Sequence, residues 1–256
     1  MFRKIRIAAL LLLLSVVMLS GWLTHARATS WRSSLQVIVY AIAADQAPAT
    51  RAYVETLSTD SYAPVDAWFD AQAQHYGVDT IRPVMIVYGG RIDALPPPVP
   101  AVPTMATVGL WSLRLRYWAW RHDPGARAAP QVRLYVLYHA PTLGPAVPDS
   151  LGLQKGTIGI VHAYASRLQR GQNGIVIAHE LLHTLGATDK YDPLSNLPRY
   201  PDGYADPQRE PRLPQAQGEI MAGRTPLTAS TAEMPASLAD MVIGAATARE
   251  VGLLKN

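Results

Sequence analysis

Hydrophobic and polar positions change their period several times along the chain. Leu35–Ala43 (LQVIVYAIA) is almost unbroken apolar and rich in β-branched residues, the pattern of a strand buried on both faces. Residues 81–88 read as a second strand ended by Gly89-Gly90, and residues 131–139 and 157–165 as two more. Helical spacing covers residues 48–57 and 63–76, where Ala67, Phe69, Ala71 and Ala73 alternate with polar residues. Residues 111–121 alternate like a strand, yet Trp111, Leu115 and Trp118 share one helical face. A helix is the preferred reading, with its tryptophans in the core and its arginines snorkelling, rather than in contact with a membrane. Residues 95–103 form a proline-rich connector. Asn173, as N-cap, opens a helix through Leu185 that Gly186 stops. A last helix is expected from residue 236 to about 253, after a Pro-, Gly- and Asp-rich segment at 187–235 of the kind that is functional or disordered. No internal repeat is present. Mixed strands and helices of this order predict one α/β (α+β) domain over residues 29–256.

The first 28 residues follow different rules. Arg3, Lys4 and Arg6 precede an uncharged apolar run of 17 residues, 7–23, which spans about 25 Å as a helix. This order is that of an export leader. Ala26-Arg27-Ala28 fits a signal-peptide cleavage site, while the length of the run also suits a retained membrane anchor, so both readings stand. Either places the body outside the cytoplasm: periplasmic, secreted, or held at the inner membrane by residues 7–23.

Composition narrows the chemistry. Of 256 residues none is cysteine, which excludes disulfide scaffolds, thiolate metal sites and cysteine nucleophiles. The net charge of +4 resides in the leader, whose four basic residues have no acidic counterpart; the rest carries 19 basic and 19 acidic side chains. A neutral body excludes a phosphate-tracking surface, and no nucleic-acid partner is expected.

The helix at 173–185 contains His179-Glu180-Leu181-Leu182-His183. Positions i and i+4 share a helix face, so both imidazoles can reach one metal ion. Glu180 stands beside the first of them, where a carboxylate can deprotonate water. Most other positions of this helix are apolar, so the histidines and the glutamate are buried, which is costly unless something pairs them. Gly186 lets the chain bend sharply and bring Asp189 back as a third ligand. Asp192, Asp202, Asp206 and Glu210 are alternative carboxylates, and Asp189 could instead form a turn. His122, His139 and His162 lie outside the pattern and are not expected to be ligands.

The run His-Glu-x-x-His-x-x-Gly-x-x-Asp resembles the metzincin zinc endopeptidases, whose common form has a third histidine where Asp189 stands here. Within that clan it is similar to the snapalysin family, which also has a tyrosine two residues after its aspartate ligand, as Tyr191 follows Asp189. Glu219-Ile220-Met221-Ala222-Gly223 resembles the methionine turn beneath the metal. The resemblance implies a twisted sheet with an active-site helix, Zn(2+) on His179, His183 and Asp189, Glu180 as general base, Tyr191 as oxyanion stabiliser and Met221 under the metal. It covers residues 173–223 closely. Snapalysins are much smaller, so residues 29 to about 130 have no clear counterpart. The tyrosine that some metzincins carry two residues after the turn methionine is Gly223 here.

The function expected is an exported or membrane-anchored zinc metalloendopeptidase with a polypeptide substrate. The strand at 157–165 would offer an edge to that substrate and the loop at 196–214 would shape specificity. Two other readings remain: a zinc-stabilised envelope binding module without turnover, and a zinc amidase acting on cell-wall peptides. A metal position open to solvent favours catalysis over binding. Substrate preference and oligomeric state are left open by the sequence.

Overall fold

A computed structural model describes residues 26–45, 47–102, 104–123, 132–141, 151–152 and 157–255, with isolated positions between 6 and 23. Most of the leader therefore lies outside the described residues. Among the described residues no helix is long and apolar enough to cross a membrane. The junction at 28/29 is packed: Ala28 and Trp31 are buried, and the Trp31 indole donates to the Val251 carbonyl at 2.7 Å.

The chain is a mixed α/β structure built on one five-stranded sheet. Its strands are β1 (Leu35–Ala43), β2 (Val84–Arg91), β3 (Val132–His139), β4 (Leu151–Gly152) and β5 (Ile158–Tyr164), in the order β2-β1-β3-β5-β4. β2, β1, β3 and β5 are parallel, and β4 pairs antiparallel with Gly159 and Ile160 of β5. Parallel strands need cover on both faces, which is why these segments read as continuous apolar runs. The period of two divides them. Val37, Val39 and Ala41 of β1 face α1 (Pro48–Glu55), α2 (Ala63–His75) and α4 (Arg170–Thr184). Tyr40 and Ile42 face α3 (Met105–His122) with Tyr135, Leu137, Ile158 and Ile160. α1 and α2 lie between β1 and β2, and α3 between β2 and β3, as crossovers between parallel strands.

Several features differ from the sequence reading, among them α3, which starts at Met105 rather than 111, and β2, which starts at Val84 rather than 81. β2 runs past Gly89-Gly90 to Arg91 because the glycines form a bulge rather than an end: Val39 pairs Tyr88 and Tyr40 pairs Gly90. A Cβ on Gly89 would press into the Tyr40 ring and stand 2.6 Å from Ile38 Cγ2, so glycine alone lets the strand continue there. Helix α4 begins at Arg170, three residues before Asn173, which is not its N-cap. Asn173 is buried and clamps the end of β5, accepting from the Tyr164 N–H at 2.9 Å and donating to its carbonyl at 2.8 Å. The expected last helix at 236–253 shrinks to α5 (Ala245–Glu250), because Met241–Val242 pairs as a short strand with Gly218–Glu219. Finally, β5 is not an edge at Gly159 and Ile160. Among the described residues the sheet's edge on that side is β4, which lies beside α4.

Helix α2 secures the C-terminal segment. The Trp68 indole donates to the Met241 carbonyl at 2.9 Å, the Tyr76 hydroxyl donates to the Ile243 carbonyl at 2.6 Å, and Gln72 Oε1 accepts the Ile243 N–H at 2.8 Å. On the same helix Asp66 accepts the Ile86 N–H at 3.0 Å. Burial pushes the Asp66 carboxyl up to about 6, against the Ile86 donor and the Arg82 guanidinium, which pull it down. An acid whose pKa is raised by folding contributes stability at low pH that is lost as pH rises through the folded-state value. Asp66→Asn keeps the acceptor oxygen without the charge. It is therefore expected to gain about 1–2 kcal/mol over the parent above pH ~7, with the gain fading below pH ~4. Denaturant titrations across that range check it.

Candidate metal centre

Helix α4 presents His179 and His183 from its last turns, where it ends because Gly186 takes φ +103°. The Gly186 N–H caps the His183 carbonyl at 3.0 Å and the Ala187 N–H caps that of Leu182 at 3.0 Å, a glycine-based helix stop. The chain then turns back and brings Asp189 to the histidines. Asp189 Oδ1 lies 3.1 Å from His183 Nε2 and 3.2 Å from His179 Nε2, and the two Nε2 atoms are 3.0 Å apart. Ligand-type atoms of His179, Glu180 and His183 also lie within 4.8 Å of one another.

The opposite ring nitrogens decide what this triangle means. His179 Nδ1 is 2.9 Å from the Ile220 carbonyl, and His183 Nδ1 is 2.8 Å from that of Ala187. A carbonyl only accepts, so each Nδ1 carries the proton and each neutral ring turns a bare lone pair inwards at Nε2. Two such nitrogens and a carboxylate oxygen meet within 3.0–3.2 Å, a contact that needs a proton or a metal cation among them. Burial disfavours charge on His179, but Asp189, Glu180 and the Ile220 carbonyl outweigh it and raise its pKa. Burial likewise works against the Asp189 carboxylate, yet the two imidazoles hold it far below the ordinary carboxylate range. The donor separations are close to the ~3.3 Å edge of a tetrahedron with bonds of ~2.0–2.1 Å, and two imidazoles with one carboxylate suit a borderline divalent ion. The residues fit a metal of that kind.

Exposure is uneven. The Asp189 side chain is 43% exposed, whereas the His179 and His183 side chains are 14% and 10% exposed. Glu180 is buried in the same helix turn. Tyr191 is partly buried and is held in a bridge to Pro198. Asp192 is used locally, accepting from the N–H groups of Leu194 and Ser195 at 3.0 and 2.9 Å, and Asp206 accepts the Gln208 N–H at 3.2 Å. His139 and His162 contact each other at 2.8 Å, on the α3 side of the sheet and away from α4.

Met221 is fully buried and packs within the core cluster that holds α4. Its neighbours do the positioning. The Ile220 carbonyl orients His179, the Ile220 N–H donates to the Val242 carbonyl at 2.9 Å, and the Met221 carbonyl accepts the Lys190 N–H at 3.0 Å. Glu219, missed in the sequence, fastens this turn from inside. It is fully buried and accepts from Thr247 Oγ1 at 2.7 Å, the Gly244 N–H at 3.2 Å and the Ala222 N–H at 2.9 Å. Lys190 and Glu250 were missed as well. Lys190 Nζ donates to both Glu250 oxygens at 2.7 and 2.8 Å, and Glu250 also accepts from Thr188, so both neighbours of Asp189 are tied to α5. No local pattern marks an ion pair between residues 60 positions apart; its only trace is a lysine directly after Asp189.

The segment at 187–235 is ordered rather than loose. Tyr204 bridges Gly218, and buried Gln215 ties the Asp206 backbone through both amide atoms, at 2.7 and 2.8 Å. No protein-family model matches the chain, and no curated protein does so either.

Proposed function

We propose that the chain is an exported or membrane-anchored zinc endopeptidase of the metzincin type, with His179, His183 and Asp189 as the metal ligands. The observation that carries this reading is the convergence of two inward Nε2 lone pairs and one carboxylate oxygen at 3.0–3.2 Å, with both Nδ1 positions already committed to carbonyls. Those carbonyl partners fix ring orientation and strengthen the imidazoles as ligands. A zinc ion held there supplies a Lewis acid that acidifies water and polarises an amide carbonyl.

The protein's own groups do the rest. Glu180 takes a proton from the attacking water and delivers it to the leaving amine. Asp189 partly neutralises the ion, which raises the value of a further donor to the oxyanion. Tyr191, two residues along, is assigned that part. An extended polypeptide would lie along the edge strand β4 beside α4, with the loop at 196–214 shaping its fit. The exposed side of Asp189 favours turnover over a closed binding site.

Side-by-side hydrolysis of an unfolded protein and of cell-wall fragments tests the reading. The expected result is cleavage of the unfolded protein, abolished by a chelator and restored by zinc. Hydrolysis of wall fragments alone would make the chain an amidase. No hydrolysis of either by zinc-loaded protein would favour a binding module.

A further inference from the structure

Helix α3 has two apolar faces, and the fold uses only one. Trp111, Leu115 and Ala119 are buried against the sheet. On the far side Leu110, Leu113, Tyr117 and Trp120 are 51%, 66%, 65% and 73% exposed. Their spacing puts them on one stripe of a helix turning about 100° per residue. Arg116 borders that stripe on one side, and Arg114 and Arg121 on the other. No acid occurs from Ala94 to His122. Asp123, the next residue, is 7% exposed and engaged by Arg133 and Tyr40. The three arginines enter no ion pair among the described residues.

Scattered exposed apolar residues are ordinary, but a continuous stripe with cationic borders is not. We propose that the outer face of α3 docks in the plane of an anionic lipid surface. Leu113, Tyr117 and Trp120 enter the boundary between headgroups and acyl chains, and Arg114, Arg116 and Arg121 pair with lipid phosphates. Tyrosine and tryptophan suit that depth because each ring has an apolar body and a polar edge. A second copy of the chain fits poorly: a two-fold contact would set three arginines against three, with no acid on the helix to offset them. Because α3 and α4 pack on opposite faces of the sheet, docking leaves the α4 side uncovered. This inference depends neither on the metal reading nor on the fate of the leader.

The absence of cysteine permits a clean test on the full chain. Leu113→Cys carries an environment-sensitive fluorophore, and Leu194→Cys, at a position 95% exposed in the segment after α4, carries it as control. Each is mixed with vesicles of phosphatidylcholine alone and of phosphatidylcholine with phosphatidylglycerol. The label at 113 should shift to the blue and be quenched by bilayer-borne quenchers only with the anionic vesicles, while the label at 194 stays aqueous. A leader inserted in either vesicle would not produce that contrast. The combined R114Q/R116Q/R121Q variant, altered only at exposed positions, should lower the ratio of docked to undocked protein roughly 100-fold. An aqueous label at 113 with anionic vesicles overturns the proposal. So does a concentration-dependent blue shift without lipid, which would make the stripe a self-association face, or one produced only by an acidic protein.

Discussion

Glu180→Gln should retain its metal and lose roughly 10³-fold in kcat, the scale of a missing general base. The two effects separate because the proposed ligand set, His179, His183 and Asp189, does not use this side chain. His179 and His183 are oriented by the Ile220 and Ala187 carbonyls, and Asp189 is held through its neighbours Thr188 and Lys190. Glutamine matches glutamate in volume and in helix propensity, so α4 keeps its packing. What disappears is the group that accepts a proton from water. Glu180→Ala should do the same with a small added cost in stability. Metal content and kcat measured on one preparation check this. An active Glu180→Gln enzyme would assign the base elsewhere. Loss of metal together with activity would make Glu180 part of the ligand set.

The second large effect is expected at a residue that touches no substrate. Glu219→Ala removes the acceptor of three hydrogen bonds inside the turn that supplies the Ile220 carbonyl to His179. Buried donors left without partners cost about 1–3 kcal/mol each, partly recovered by relaxation, so the loss should be on the order of 3–5 kcal/mol. The turn also supplies the Ile220 carbonyl that orients His179, and losing such a partner lowers metal affinity by roughly 10–100-fold. Glu219→Gln is the informative intermediate. Its amide can keep one acceptor oxygen for Thr247 and Gly244, but presents an N–H where the Ala222 N–H needs an acceptor. Denaturant unfolding with and without zinc separates the two losses. Equal stability of Glu219→Ala and the parent would show that the turn is held by its apolar contacts alone.

What was readable in the sequence follows from how local each signal is. β1 was legible to the residue because a strand covered on both faces is apolar at every position. The approach of His179 to His183 was legible because i and i+4 on a helix are neighbours whatever surrounds them. Asn173 misled because its partner is the Tyr164 backbone, not the first turn of its own helix. The expected last helix was too long because Met241 and Val242 find strand partners more than 20 positions earlier, at Gly218 and Glu219. Gly89-Gly90 looked like a stop, and only the Tyr40 ring across the sheet explains why it is a bulge. Glu219 and the Lys190–Glu250 pair were hidden for the same reason, since long-range burial turns ordinary charged residues into structural ones. The buried face of α3 was legible from Trp111, Leu115 and Trp118, but the exposure of Trp120 on a second apolar stripe was not.

The account rests on a metal being held by His179, His183 and Asp189, and metal analysis of the purified full chain, prepared without chelator, tests that most directly. One zinc per chain, absent from His183→Ala, is the expected result. A chain that holds no zinc after reconstitution, or whose zinc survives His183→Ala, would contradict it.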